Sequence, residues 1–167
     1  MRITYQHRFS APLEQVVAMF RDESYARERA LAAGATDADI ATDDFEDGAF
    51  TVAVRRTVPS TSIPSEFRSF ISSELVVRYT EAWAAPTADE SSREGTFAVE
   101  ILGAPGHARG SLVLKADGDG TAFGIAGDLQ ANVPLVGALV EQAIGGAITK
   151  SLPLELAAAD AWLASRA

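Results

Sequence analysis

Apolar and polar residues alternate at the start of the chain: Ile3, Tyr5, His7 and Phe9 share one face, and Arg2, Thr4, Gln6 and Arg8 the other. A period of two predicts a half-buried β-strand. The spacing then changes, and Leu13, Val16, Val17 and Phe20 recur at helical intervals. Ser10 is the expected N-cap of that helix, with Pro12 near its first turn and Glu14 within it. A second helical piece, from Ser24 to about Ala33, is expected to stop at Gly34.

From Asp37 onward the pattern is one of strands and turns. Asp37 to Phe45 and Ala49 to Val58 flank Glu46-Asp47-Gly48, a hairpin signal. Pro59 to Ile71 holds two prolines and four serines, which predicts a loop or short helix over one mouth of the sheet. Glu74 to Ala84, Arg93 to Leu102, Ala108 to Ala116 and Thr121 to Val133 follow as strands. The turns between them fall at Pro86-Thr87, Gly103-Ala104-Pro105-Gly106 and Asp117-Gly118-Asp119-Gly120. Links this short support an antiparallel meander and no parallel crossover. The last segment, Pro134 to Ser165, reads as the longest helix, apolar almost all round as far as Ile148. A helix of that kind needs a curved sheet wrapped around it, and a pocket between the two is expected. Pro153 lacks an amide hydrogen and disfavours helix at Leu152, so a kink or break is expected there. Its first half should face the pocket, and Leu156 and Trp162 should pack on the sheet or the short helices. The element order is β-α-α-β6-α, an α+β domain.

Composition narrows the function. A chain of 167 residues predicts one domain, 1–167, large enough to bury a core without cross-links. It contains no cysteine, which excludes thiolate metal sites and thiol nucleophiles and fits a reducing compartment. Its start lacks the continuous apolar run of a secretory signal, and Val133 to Ile148 is too short and too interrupted for a membrane span. A soluble, cytoplasmic protein is expected. The formal net charge of −9 and the lack of a basic stripe exclude nucleic acid as partner. The acidic run from Asp37 to Asp47 reads as a solvated loop and edge strand, whose charges discourage edge-to-edge pairing.

Few residues suggest chemistry. His7 lies in register with Ile3, Tyr5 and Phe9, either as a hydrogen-bonded core histidine or as a cavity-lining donor or base. The inward face of one strand runs Phe50, Val52, Val54, Arg56, Val58, and that of the next Leu75, Val77, Tyr79, Glu81, Trp83. Each places one charge in an apolar series. Arg56 and Glu81 therefore pair with each other, reach a mouth of the cavity by snorkelling from a strand end, or lie where a strand flips its phase at a bulge. In the functional reading they form the polar end of the pocket, where the planar fork of Arg56 suits a carboxylate or phosphate. His107 is expected in a turn, and two histidines so far apart argue against a metal site. Gly145 and Gly146 interrupt the last helix, either for close packing or to make room for a ligand. Glu141 is expected to make a polar contact with the loops rather than act as an acid or base.

The element order, with Val133 to Ile148 (VPLVGALVEQAIGGAI), resembles the START-like (SRPBCC, helix-grip) superfamily of polyketide cyclases, lipid-transfer domains and plant allergens. Pro134 to Gly137 followed by Glu141 is especially similar to small bacterial members, including the carbon monoxide dehydrogenase accessory subunit and an actinobacterial family of unknown function. The resemblance implies a curved seven-stranded antiparallel sheet gripping the C-terminal helix, around a cavity for an apolar or amphipathic molecule. It implies no fixed catalytic set and no cofactor. Three readings stand open. In the first the protein binds or carries a lipid- or polyketide-like molecule, as monomer or homodimer, in a cavity of several hundred Å³. Its expected lining is His7, Phe50, Val52, Val54, Arg56, Tyr79, Glu81, Trp83, Phe97, Leu135, Leu139, Ala143 and Gly146. In the second it is a cyclase- or hydrolase-like enzyme with His7 as base and Arg56 or Tyr79 orienting an oxyanion. In the third it is an accessory or assembly protein without ligand.

Overall fold

The computed structural model describes residues 1–59, 61, 65, 68, 74–102, 106–132 and 134–166. β1 (Arg2–Phe9) leads into α1 (Leu13–Arg21) and α2 (Glu23–Ala32). Six strands follow: β2 (Asp37–Asp44), β3 (Phe50–Pro59), β4 (Glu74–Trp83), β5 (Ser92–Leu102), β6 (Gly106–Asp117) and β7 (Gly120–Ala131). α3 (Gly137–Ala164) closes the order. Among the described residues the strands form one antiparallel sheet in the order β1-β7-β6-β5-β4-β3-β2. β1 pairs with the last strand, Tyr5 opposite Ile125, and the acidic β2 lies at the far edge.

Most boundaries follow from local chemistry. α2 starts where the Asp22 carboxylate accepts hydrogen bonds from the amides of Ser24 and Tyr25, and it ends before Gly34, whose φ of 86° suits a residue without Cβ. Gly48, at φ 84°, makes the β2–β3 turn for the same reason. Ser10 does not cap α1, because Pro12 occupies the N-cap and makes no side-chain capping bond. The turn is held instead by the buried Thr121 hydroxyl, which donates to the Ala11 carbonyl. His107 lies within β6, opposite Gln130, and not in a turn. The loop expected between Pro59 and Ile71 lies, beyond Pro59 itself and three isolated residues, outside the described residues, as do residues 103–105 of the turn before β6.

The core fills the concave side of the sheet. Phe20 of α1 meets the rings of Phe9, Phe123, Tyr25 and Trp83 at centroid distances of 5.2 to 6.3 Å. Tyr25 of α2 in turn meets Trp162 of α3 edge-on at 6.1 Å. α2 and α3 thus cover the sheet together. Phe97 of β5 faces Gly110 of β6, which faces Gly127 of β7. The Phe97 ring lies across both glycines, within 2.7 and 2.6 Å of where their Cβ atoms would stand.

Two expectations about α3 are corrected. The helix runs without a break from Gly137 to Ala164 with Pro153 inside it. Pro153 is on the exposed side, and so is Thr149, whose carbonyl loses its usual donor and stays within reach of water. Nor is the apolar first half the gripped one. Leu139 is 55% exposed and Leu135, before the helix, fully exposed, whereas Leu152, Leu156, Ala159, Trp162 and Leu163 are buried.

Candidate functional site

A cavity of about 100 Å³ lies between the inner face of the sheet, α2 and the middle of α3. Its walls are mainly apolar. Ile3, Val52, Val54, Phe97, Val99, Ala108, Leu112 and Ile125 face it from the sheet, Ala26 and Ala30 from α2, and Ile148 and Leu152 from α3. The volume falls short of the several hundred Å³ expected, because Arg29, Tyr25 and Glu155 project into the space between the layers.

One side of the cavity is a polar cluster drawn from four elements. Arg29 of α2 donates from Nη1 to Glu81 Oε1 at 2.6 Å, from Nε to Glu155 Oε2 at 2.9 Å and from Nη2 to the Tyr79 hydroxyl at 3.1 Å. Its guanidinium also lies 4.8 Å above the Tyr79 ring. Tyr79 donates its hydroxyl proton to Glu81 Oε1, and the Trp83 indole donates to Glu81 Oε2 at 2.8 Å. Arg56 of β3 brings Nη1 to 3.8 Å from Glu155 Oε1, an ion pair too long for a hydrogen bond. Its Nε is buried and has no hydrogen-bond partner among the described residues.

Charge burial on this scale survives only when the groups are paired and hydrogen-bonded. Glu81 is 1% exposed, and both of its oxygens are occupied. Burial works against the charge on Arg29, but Tyr79, Glu81, Tyr25 and Glu155 outweigh it and hold the Arg29 pKa well above the ordinary value. Burial also pushes the Tyr79 hydroxyl well up; the Arg29 charge opposes this, and Glu81 adds to it by charge and hydrogen bond. Tyr79 is therefore a neutral phenol at physiological pH, a donor and not a base.

The structure brings together six of the residues expected at the site: Val52, Val54, Arg56, Tyr79, Glu81 and Phe97. It places the others elsewhere. Phe50 and Trp83 are buried but stack on each other at 6.1 Å, outside the cavity wall, where Trp83 serves to hold Glu81. His7 reaches the seam between β1 and α3, with Nε2 3.1 Å from Asp160 and its ring edge-on to Phe9 at 4.7 Å. A histidine so placed is not a base in the cavity. Leu135, Leu139 and Ala143 lie on or before the exposed first half of α3, and no side chain comes within 4 Å of a Cβ at Gly146. The absent side chain of Gly145 makes room for the Met1 thioether rather than for a ligand. Glu141 does make a polar contact: it accepts from the Ala131 amide and the Met1 ammonium, which hold its carboxyl below the ordinary glutamate value.

The pairing of Arg56 with Glu81 is also corrected: each is joined to a helix residue that sequence reasoning passed over. Arg29 stands in the buried stripe of Tyr25, Ala26 and Ala30, and Glu155 in that of Leu152, Leu156 and Ala159. A charge inside an apolar stripe was the signal in both cases. Among the described residues no group of three or more His, Asp or Glu is placed to hold a metal ion, and no helix is long and apolar enough to cross a membrane.

Comparison with known proteins agrees with this architecture. The family model DUF2505, described as a protein of unknown function, matches residues 4–163. No curated protein matches the chain. Among solved structures, a protein of Thermus thermophilus is similar over 100% of this chain and 99% of its own, at 12% identity and a TM-score of 0.67. A START superfamily protein of Mycobacterium smegmatis is similar over 99% of both chains, at 13% identity and a TM-score of 0.52. Norcoclaurine synthase of Thalictrum flavum, solved with dopamine and hydroxybenzaldehyde, is similar over 100% of this chain and 88% of its own, at 13% identity and a TM-score of 0.57. What is shared at these identities is the helix-grip fold.

Proposed function

The chain belongs to the DUF2505 family, and we propose that it binds an apolar or amphipathic small molecule whose buried part is compact. The observation that carries this reading is the cavity itself: about 100 Å³ of space in the core, apolar on most sides, with a hydrogen-bonded polar cluster on one. Interiors are normally packed to crystal density, and a void of this size sacrifices dispersion contacts that a ligand would restore. A polar anchor beside apolar walls is the usual composition of a small-molecule site. The volume is too small for a whole lipid or polyketide and admits only the compact end of one. Norcoclaurine synthase, with the same fold, is a structure in which small aromatic molecules are bound.

The test is a cavity-filling variant. Methylenecyclopentane, a compact apolar probe, should shift the methyl resonances of Val54, Val99 and Ile125 in the native protein. In Ala108→Leu, whose larger side chain enters the cavity, the shifts should be lost while the protein stays folded. Native mass spectrometry of protein from its own host should also show a co-purified small molecule. Absence of both signals would refute the binding reading and leave an assembly role.

A further inference from the structure

The charges around the cavity bear on what its ligand carries at the polar end. Two guanidinium groups, Arg29 and Arg56, face two carboxylates, Glu81 and Glu155. Each nitrogen of Arg29 donates once, to Glu81, Glu155 or Tyr79, and the carboxylate oxygens of Glu81 are held by Arg29, Tyr79 and Trp83. The Ser151 hydroxyl, which also lines the cavity, donates to the Ile148 carbonyl. Arg56 Nε is the one buried side-chain polar atom of the cavity lining that has no hydrogen-bond partner among the described residues. The site therefore offers a donor but no surplus positive charge.

We propose, on the premise that the cavity is a binding site, that the ligand group received at Arg56 is a neutral acceptor: the oxygen of a ketone, aldehyde, ester or ether. A carboxylate or phosphate would add a third anion to a cluster whose formal charges already balance, in a place where water, reaching Arg56 only in part, screens the excess weakly. A hydrocarbon would leave the buried N–H without an acceptor. An uncharged oxygen satisfies the donor and leaves the balance intact. The planar fork that makes arginine a carboxylate binder elsewhere already has one carboxylate beside it here, Glu155 Oε1 at 3.8 Å from Nη1.

Three probes of similar size separate the possibilities: cyclopentanone, methylenecyclopentane and cyclobutanecarboxylate, titrated at neutral pH into the ¹⁵N-labelled protein. Cyclopentanone should bind at least tenfold more tightly than the carboxylate and move the Arg56 Nε–H resonance, which methylenecyclopentane should not move. In Arg56→Met the affinity of the ketone relative to methylenecyclopentane should fall about tenfold, with methylenecyclopentane itself changed less than twofold. If Arg56→Met does not fold, Arg56→Lys keeps the cation opposite Glu155 and still removes the Nε–H, so the ketone signal at that resonance in the native protein and its weaker binding to the lysine variant decide. Tighter binding of the carboxylate, or a ketone-to-alkene ratio that Arg56→Met leaves unchanged, would overturn the neutral acceptor and leave the cavity reading standing. Binding of none of the three would overturn both.

Discussion

The two halves of α3 are both apolar, yet only one is buried. Before Ser151 the helix contributes Leu139 to solvent, and its one buried residue is Gly145; after it, Leu152, Leu156, Ala159, Trp162 and Leu163 are all covered. The difference lies in what faces each half. α2 packs over the second through Tyr25 on Trp162 and through Arg29 on Glu155, whereas the first is tied to the chain's opening residue and to the end of β7 by the Glu141 contacts. An apolar sequence states what a helix can bury; the neighbouring elements decide what it does bury.

That contrast can be broken most severely at the charges. Arg29→Ala leaves Glu81 and Glu155 buried without their shared cation, and a loss of about 3–5 kcal/mol in unfolding free energy is expected from denaturant titration. Hydrophobic truncation should then separate the two halves directly. Leu156→Ala should cost about 2–5 kcal/mol and Leu139→Ala less than about 0.5, so equal losses at the two positions would show that the halves are packed alike. A smaller effect is expected where α2 begins. Asp22→Ala removes the cap of the helix that covers the buried half, at about 1 kcal/mol.

The Asp22 carboxyl is held below its ordinary value, first by the Ser24 hydroxyl and then, against the opposing effect of burial, by the Ser24 and Tyr25 amides. The unfolded chain takes up that proton at a higher pH than the folded one. The contribution of the cap is therefore complete above about pH 4 and is lost as the pH falls through the folded value, an acid dependence that Asp22→Ala should flatten. Opposite in sign, Gly146→Ala should raise stability by about 0.5–1 kcal/mol, because it lies in helix with no neighbour within 4 Å of the added Cβ.

The strands and their order were legible because period-two alternation and Asp-Gly or Gly-rich turns are local signals. Glu81 and Arg56 were legible for the same reason: a charge in an alternating apolar series breaks the pattern visibly. Arg29 and Glu155 break a pattern too, but on helices the stripe is spread over several turns, and Arg29 sits between Glu28 and Ala30 in a segment rich in charges. The misplacement of His7 has another cause. It shares the strand face that alternation predicts, but a face runs the length of a strand, and the cavity touches only part of it, at Ile3. Which stretch of a face borders the void depends on where α2 and α3 cross it, a tertiary fact with no local signature. The same applies to Leu135 and Leu139, whose composition suggested burial.

Phe97 stretches over Gly110 and Gly127, so a single ring on one strand supplies the bulk that two neighbouring strands leave out. These three positions share one volume. A side chain gained at either glycine would have to be matched by a smaller residue at 97 and by movement of the Arg109 or Ala126 carbonyl that now stands close by. The capacity of the chamber is accordingly a joint property of residues on three strands, two of which do not border it at these positions, and a designer or a diverging lineage could alter what fits inside only by changing the set together.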